Sequence, residues 1–221
     1  LRHMSHELKT PLTSLREGSE LLAEGTAGPL SEGQREIDAI LRHKSIQLQQ
    51  LIEDLINYHR AQESVGRLEL APVRLDRIVE QVVEDNLLAA RARGLRADKR
   101  LEPVMLQADA DKLRAVVSNL ISNAIKYSPD GGVISLELRQ RGAQVEFEVG
   151  DAGPGIPPED RERIFDWFYQ GENSHHGRVQ GSGLGLAIAR EFVVAHGGGI
   201  DVANAPAGGA RFRVILPAGP N

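Results

Sequence analysis

The chain has 221 residues, a length that fits one or two domains. It carries 26 Lys and Arg residues against 31 Asp and Glu residues, and the net charge of −5 argues against strong nonspecific binding to nucleic acid or anionic lipid. The absence of cysteine excludes disulfides, thiolate zinc sites and cysteine nucleophiles. Hydrophobic residues make up 41% of the sequence, enough for a buried core, and no apolar run reaches the ~18–20 residues that span a bilayer.

The first part of the chain has the apolar spacing of two helices. Within residues 1–24 and again within residues 34–62, apolar side chains recur at helical intervals and form a stripe on one face. Residues 25–30 have the composition of a turn, and Ser31 with Gln34 predicts a capping box. Two helices alone leave their stripes exposed, so we predict that this antiparallel hairpin pairs with a second copy in a dimeric four-helix bundle. Since the helical pattern is already present at the first residue, we expect a piece of a longer protein.

From about residue 67 the pattern alternates between strands and helices. Strands are predicted at residues 68–70, 104–106, 133–138, 145–149, 200–203 and 211–216, and helices at residues 75–87, 110–127 and 184–196. The third and fourth strands lie at hairpin spacing, with Arg141 and Gly142 in the turn. This alternation predicts an α/β layered domain.

A basic cluster follows the first of these helices. Its members are Arg91, Arg93, Arg96, Lys99 and Arg100. Aromatic residues are only 4% of the chain and none interleaves the cluster, so stacking on nucleic-acid bases is unsupported. We therefore predict a solvated basic loop and no nucleic-acid partner.

Three glycine-rich stretches in the second half are candidates for phosphate binding. Residues 151–155 follow a predicted strand, residues 181–185 open a predicted helix, and residues 208–209 precede the last strand. Glycines before a helix let backbone N–H groups approach a phosphate, and the helix N-terminus favours an anion. For any one stretch a simple tight turn is the alternative.

The predicted helix at residues 110–127 carries Asn119 and Asn123 one turn apart on the same face. Two amide oxygens can hold a hard cation such as Mg²⁺ while it keeps water and phosphate oxygens, and Lys126 offers a point charge to phosphate. The alternative is an ordinary solvated face. Because Asn has poor helix propensity, two of them within one helix favour a functional role.

Five segments resemble the motifs of sensor histidine kinases of two-component systems. They are an H box at residues 6–12, an N box at residues 119–128, a first glycine box at residues 151–155, an F box at residues 163–168 and a second glycine box at residues 181–186. All five occur in the order of the family, and the resemblance covers essentially the whole chain. Within the family, residues 3–18 and the turn at residues 27–30 are similar to the GlrK/QseE type.

The resemblance implies an α+β chain of two domains. Residues 1–65 would form the dimerisation and histidine phosphotransfer (HisKA) hairpin, and residues 66–221 would form a GHKL (Bergerat) α/β sandwich that binds ATP. It implies a homodimer through the hairpin and a response regulator receiver domain as partner. It also implies that this portion is soluble and cytoplasmic, within a full-length protein anchored in the inner membrane.

The resemblance implies a protein-histidine kinase with its catalytic residues in the H box. His6 would accept the γ-phosphoryl group of ATP and pass it to an aspartate of the response regulator. Glu7 would hydrogen-bond the imidazole and act as acid or base, and Thr10 would support phosphatase activity on the partner. Neutral imidazole is nucleophilic near physiological pH, which suits an acceptor.

The resemblance also assigns the nucleotide site. Asp151 would accept a hydrogen bond from the adenine amino group, and Asn123 would ligate Mg²⁺ with support from Asn119. The full set implied to bind the cofactors ATP and Mg²⁺ is Asn119, Asn123, Lys126, Tyr127, Asp151, Gly153, Gly155, Ile156, Phe168, Arg178, Gly181, Gly183, Leu184, Gly185 and Leu186.

Two other functions remain open at this point. One is a non-catalytic dimeric scaffold that binds nucleotide and a regulator, and the other is a GHKL ATPase that drives a conformational cycle. Relatives that hydrolyse ATP directly carry a glutamate where Asn119 stands, so this residue favours transfer to a protein.

Overall fold

The computed structural model describes residues 17–18, 20–23, 25–26, 28–42, 44–45, 48, 68–171, 183–205 and 208–219. The chain divides into two compact units, Leu1–Arg60 and Ala61–Asn221. None of the helices formed by these described residues has the length and apolarity needed to cross a membrane.

In the first unit, residues 32–42 are helical and begin at the predicted capping box. The Ser31 N–H donates to Oε1 of Gln34 at 2.9 Å, and the Gln34 N–H donates to the Ser31 hydroxyl at 3.3 Å. The predicted start at residue 34 is therefore two residues late. The side chains of Ile37, Ile40 and Leu41 are 60%, 54% and 55% exposed on the single chain. This unburied stripe is the feature from which pairing with a second copy is predicted.

The second unit is built on a five-stranded mixed sheet. Its strands are β2 (Arg96–Leu101), β4 (Val133–Arg141), β5 (Gln144–Gly150), β6 (Gly199–Asn204) and β7 (Ala210–Pro217). They lie in the order β2-β4-β5-β7-β6, with β2 parallel to β4 and every other pair antiparallel. A separate antiparallel ribbon is formed by β1 (Ala71–Arg74) and β3 (Met105–Ala108).

The helices of this unit cover one face of the sheet. They are α1 (Leu75–Asp85), α2 (Leu87–Ala92), α3 (Ala110–Tyr127) and α4 (Gly185–Ala195), with two short 3₁₀ helices at Pro158–Asp160 and Arg163–Phe165. Alternate residues of β4 and β5, including Leu138 and Phe147, are buried in one core with Leu120 of α3 and Val193 of α4. The predicted α/β layers and the α+β class of the whole chain are confirmed, and α3 lies in contact with both α1 and α4.

Three predicted elements differ from the structure. Residues 68–70 are not a strand, since β1 begins at Ala71, and the strand predicted at residues 104–106 lies at Met105–Ala108. The first helix does not reach residue 87, because Asn86 ends α1 by donating from Nδ2 to the Val82 carbonyl at 2.8 Å.

The predicted basic loop is wrong. Arg91 belongs to α2, whereas Arg96, Lys99 and Arg100 belong to β2. Every residue of β2 is exposed except the half-buried Leu101, so the strand carries no alternating apolar pattern from which it could be recognised.

Candidate functional site

The helix α3 carries the asparagine pair, and its N-terminus is held by a buried polar cluster. Asp109 caps the helix by accepting from the Lys112 N–H at 3.2 Å, and its Oδ2 accepts from the Lys112 ammonium at 2.6 Å and from the Glu69 N–H at 3.2 Å. Burial alone would raise the pKa of Asp109, but these donors outweigh it and hold the pKa below its usual value. His196 completes the cluster, since its Nε2 accepts from the Asp109 N–H at 3.0 Å.

The C-terminus of α3 is held by Arg93. Its guanidinium donates to the Ile125 carbonyl, to the Lys126 carbonyl at 3.0 Å and to the Ser128 carbonyl at 2.6 Å. These are carbonyl groups that a helix end leaves without intrahelical partners. A cation at this end also interacts favourably with the helix dipole. The helix is therefore fixed at both ends, and Asn119 and Asn123 lie between the two anchors.

The N-terminus of α4 lies beside Asn119. A Cβ atom at Gly185, the first residue of α4, would lie 3.2 Å from Oδ1 of Asn119. Leu184, the residue before α4, has an apolar side chain and supplies no side-chain cap to the helix. A helix N-terminus beside an amide oxygen can receive phosphate oxygens together with a hard cation.

Asp151 follows β5 and is held by two backbone donors. Its Oδ1 accepts from the Gly153 N–H at 2.8 Å and from the Ala210 N–H at 3.1 Å. Within the described part of the chain, no donor binds Oδ2, which is therefore the oxygen open to a ligand. Burial raises the pKa of Asp151, and the two backbone hydrogen bonds oppose that shift only in part.

The loop that Asp151 begins has close neighbours on both sides. A Cβ atom at Gly153 would lie 2.6 Å from the Tyr127 carbonyl at the end of α3. On the other side, a Cβ atom at Gly209 would lie 1.9 Å from the Asp151 carbonyl. Neither position accommodates a side chain without a shift of backbone. The glycines thus allow the loop to pass between α3 and the turn before β7.

Two residues that hold this site were not found from the sequence. Arg93 was assigned to a solvated loop, and Asn204, at the end of β6, bonds both backbone polar groups of Ile156. A lone Asn between alanines and an Arg within a basic cluster carry no motif signal. Both act through backbone atoms of segments far away in the sequence.

The remaining predicted residues of the site occupy several positions. Tyr127 is 42% exposed, with the Lys126 ammonium 4.8 Å from the centre of its ring. Phe168 is 57% exposed, has a φ of 62°, and donates from its N–H to the Gly183 carbonyl at 3.1 Å. Leu184 is fully buried, whereas Ile156 and Leu186 pack against the core from partly buried positions. His6, Glu7, Thr10, Arg178 and Gly181 lie outside the described residues.

Comparison with known proteins gives two family matches. Residues 108–220 match the family described as "Histidine kinase-, DNA gyrase B-, and HSP90-like ATPase", and residues 1–64 match the "His Kinase A (phospho-acceptor) domain". Sensor histidine kinase GlrK of Escherichia coli (strain K12) is 42% identical over 221 residues, which cover 100% of this chain and 46% of GlrK. Alginate biosynthesis sensor protein KinB of Pseudomonas aeruginosa is 35% identical over 216 residues, which cover 96% of this chain and 36% of KinB. The chain thus spans less than half the length of either relative.

Solved structures show the same similarity. The crystal structure of full-length ShkA in complex with AMPPNP has a TM-score of 0.74 and 30% identity, and the match covers 98% of this chain and 45% of ShkA. The mycobacterial sensor histidine kinase MprB has a TM-score of 0.60 and 30% identity over 69% of this chain and 99% of that chain.

The chain belongs to the histidine kinase-, DNA gyrase B-, and HSP90-like ATPase family. The phospho-acceptor domain precedes the ATPase domain in sequence, so the chain has the domain order of a sensor histidine kinase catalytic core. The family predicted from the five motifs is confirmed, as is the likeness to GlrK and QseE.

Proposed function

We propose that this chain phosphorylates itself on His6 with ATP and then passes the phosphoryl group to an aspartate of a response regulator. The observation that carries the proposal is that α3 has the Gly185 helix start beside its Asn119 and the Asp151 loop against its last residue, Tyr127, in the ATPase domain that follows the phospho-acceptor domain in sequence. Such a site holds a nucleotide by both its base and its phosphates. The preceding domain supplies the acceptor.

At the base end, Oδ2 of Asp151 is suited to the adenine amino group, because an ionised carboxylate is an acceptor only. Gly153 and Gly155 let the backbone approach the base, and Tyr127 lies at the edge of this loop. At the phosphate end, the first turn of α4 offers backbone N–H groups beside Asn119. Lys126 adds positive charge at the end of α3.

The donor set fits magnesium that arrives together with the phosphates. Among the described residues there is no cluster of three His, Cys, Asp or Glu side chains able to hold a metal ion by itself. Asn123 would supply an amide oxygen with Asn119 one turn away, and phosphate and water oxygens would fill the other positions. When bound, Mg²⁺ neutralises part of the phosphate charge.

At the acceptor, an imidazole nitrogen of His6 attacks the γ-phosphorus, the bond to the β-phosphate oxygen breaks, and ADP leaves. Glu7 is the neighbouring acid or base, and Thr10 would position water when the regulator is dephosphorylated. Positioning and charge neutralisation supply most of the catalysis of such a transfer.

The organisation proposed for the protein has a boundary between residues 65 and 66. Residues 1–65 would pair with a second copy in a four-helix bundle, which would cover the exposed stripe of Ile37, Ile40 and Leu41. The response regulator would bind through its receiver domain. We propose that the longer protein is anchored in the inner membrane, with this portion in the cytoplasm.

The test is labelling with ATP that carries radioactive phosphorus at the γ position. The unaltered chain should acquire label that is stable to alkali and labile to acid, and His6→Ala should abolish it. His3→Ala is the matched control, since it removes a histidine from the same segment and should keep the label.

Three results would contradict the proposal. Label that persists in His6→Ala would place the acceptor elsewhere. Steady ATP turnover without phosphoprotein would indicate an ATPase, and nucleotide binding with neither turnover nor label would indicate a scaffold. Transfer from the labelled chain to a set of receiver domains tests the second step.

A further inference from the structure

The last residue of β6 bonds the backbone of the Asp151 loop as a neighbouring strand would. Oδ1 of Asn204 accepts from the Ile156 N–H at 2.9 Å, and Nδ2 of Asn204 donates to the Ile156 carbonyl at 3.1 Å. One side chain thereby satisfies both polar groups of a single backbone residue. This contact joins positions 48 residues apart in sequence.

The side chain of Asn204 also leaves no room for a side chain at Gly155, the residue before Ile156. A Cβ atom at Gly155 would lie 2.9 Å from both Cγ and Nδ2 of Asn204. Gly155 has a φ of +78°, in the left-handed region that favours glycine. The backbone at Gly155 and Ile156 is therefore fitted against the amide of Asn204.

The other end of the loop is held by the turn that Asn204 begins. Ala210 donates to the Asp151 carboxylate at 3.1 Å and accepts from the Asp151 N–H at 2.9 Å. Ala210 is also the strand partner of Asn204 across β6 and β7. Both ends of the loop are thus bound to paired residues at one end of the sheet.

We propose that Asn204 is a positioning residue for the base end of the nucleotide site. This proposal rests on the proposed function, in which the loop from Asp151 to Ile156 lies against adenine. The side chain of Asn204 hydrogen-bonds the loop at Ile156, so it acts by keeping the loop in the conformation that binds the base. The phosphate end, at Asn119 and Gly185, does not depend on it.

The size of the effect follows from the two hydrogen bonds. Asn204 is exposed, so water replaces the lost partners, and each bond is worth only a modest net amount. If the loop keeps its binding conformation about one tenth of the time without them, the apparent Kd for ADP rises about tenfold. Global stability should change little, because both bonds lie at the surface.

The experiment compares Asn204→Ala with Asn86→Ala in the full chain. Asn86 also donates from its side chain to a backbone carbonyl, that of Val82, but at the end of α1. We expect Asn204→Ala to raise the Kd for ADP and the KM for ATP about tenfold, with kcat within about twofold and the Kd for inorganic tripolyphosphate unchanged. Asn86→Ala should leave all four constants unchanged.

Two results overturn the proposal, and they differ from a failure of the proposed function. Unchanged ADP affinity in Asn204→Ala would show that the loop does not need the side chain. Equal loss of ADP and tripolyphosphate affinity would show a general structural effect. If the unaltered chain itself binds no ADP, the proposed function fails and this proposal fails with it.

Discussion

Replacing Asp151 with Asn tests the base end of the site most directly, because the change preserves shape and removes one charge. The amide oxygen can still accept from the Gly153 and Ala210 N–H groups that now bind Oδ1. The NH₂ group then stands where Oδ2 was, and in the proposed complex it would face the adenine amino group with a donor instead of an acceptor. We expect Asp151→Asn to fold and to lose nucleotide affinity.

The magnitude follows from the type of hydrogen bond that is lost. A hydrogen bond to a charged group contributes about 1.5–3 kcal/mol, and a donor facing a donor keeps none of it. A loss of about 2–3 kcal/mol corresponds to a roughly 30- to 150-fold rise in the Kd for ADP. The affinity for inorganic tripolyphosphate, which has no base, should not change.

The same variant should be more stable than the parent at neutral pH. Burial raises the pKa of Asp151 in the folded state above that of the unfolded chain. The stability that this carboxyl contributes is complete below the unfolded value of about 3.9 and is lost as the pH rises through the folded pKa. The asparagine of the variant does not ionise. The difference in free energy of unfolding between the variant and the parent should therefore grow as the pH rises from the unfolded pKa through the folded pKa of Asp151.

The assay is denaturant unfolding without nucleotide at about pH 4 and about pH 8, together with ADP titration of both proteins at the higher pH. The two free energies of unfolding should be closer at the lower pH, since Asp151 is then more protonated in both states than it is at about pH 8. A difference that does not change with pH would refute the reasoning from burial. Unchanged ADP affinity would refute the role of Oδ2 as the adenine acceptor.

Two further substitutions test how the site is held. Arg93→Gln should lower the free energy of unfolding by about 2–3 kcal/mol, because it removes charged donors from three carbonyls. Arg91→Gln, on the exposed end of α2, is the control and should change the free energy of unfolding by no more than about 0.5 kcal/mol. Denaturant unfolding measures both. Gly209→Ala should abolish ADP binding, because its Cβ would lie 1.9 Å from the Asp151 carbonyl. Gly208→Ala is the control, since its φ is also positive (+95°) but its Cβ would meet open space; equal loss of binding in both would contradict the steric explanation.

The sequence predicted elements best where the spacing of apolar residues within one segment matches the face of that segment that is buried. The helix α3 was placed correctly because Asp109 is a strong capping residue and the following apolar residues, from Leu113 onward, recur at helical spacing. The hairpin of β4 and β5 was placed correctly because one face of each strand is buried, so apolar residues alternate. Both signals lie within a single segment.

The elements that sequence reasoning missed lack such a local signal. The strand β2 is an edge strand that pairs in parallel with β4, and its exposed charged residues show no period. Its existence depends on hydrogen bonds to a segment more than thirty residues away rather than on its own side chains. One of them runs from the Arg96 N–H to the carbonyl of Gly132, the residue before β4, at 3.0 Å. The side chains of Asn204 and Arg93 hydrogen-bond backbone atoms. Every residue type has a backbone carbonyl, so the sequence of the bonded segment does not indicate its partner.

The residues of the site therefore fall into two kinds: those whose side chains are suited to a ligand, and those that hold the main chain in place. The residues that the motifs identify, such as Asp151 and Asn119, offer atoms to a ligand, and their types follow from that chemistry. The residues that hold them, such as Arg93 and Asn204, bind main-chain atoms at the ends of α3 and of the Asp151 loop. A motif search therefore finds the groups that we propose contact nucleotide, but not the groups that hold those groups in position. Because a site loses affinity when its binding conformation is less populated, substitutions of both kinds should weaken nucleotide binding, but only the first kind should change which part of the nucleotide is recognised.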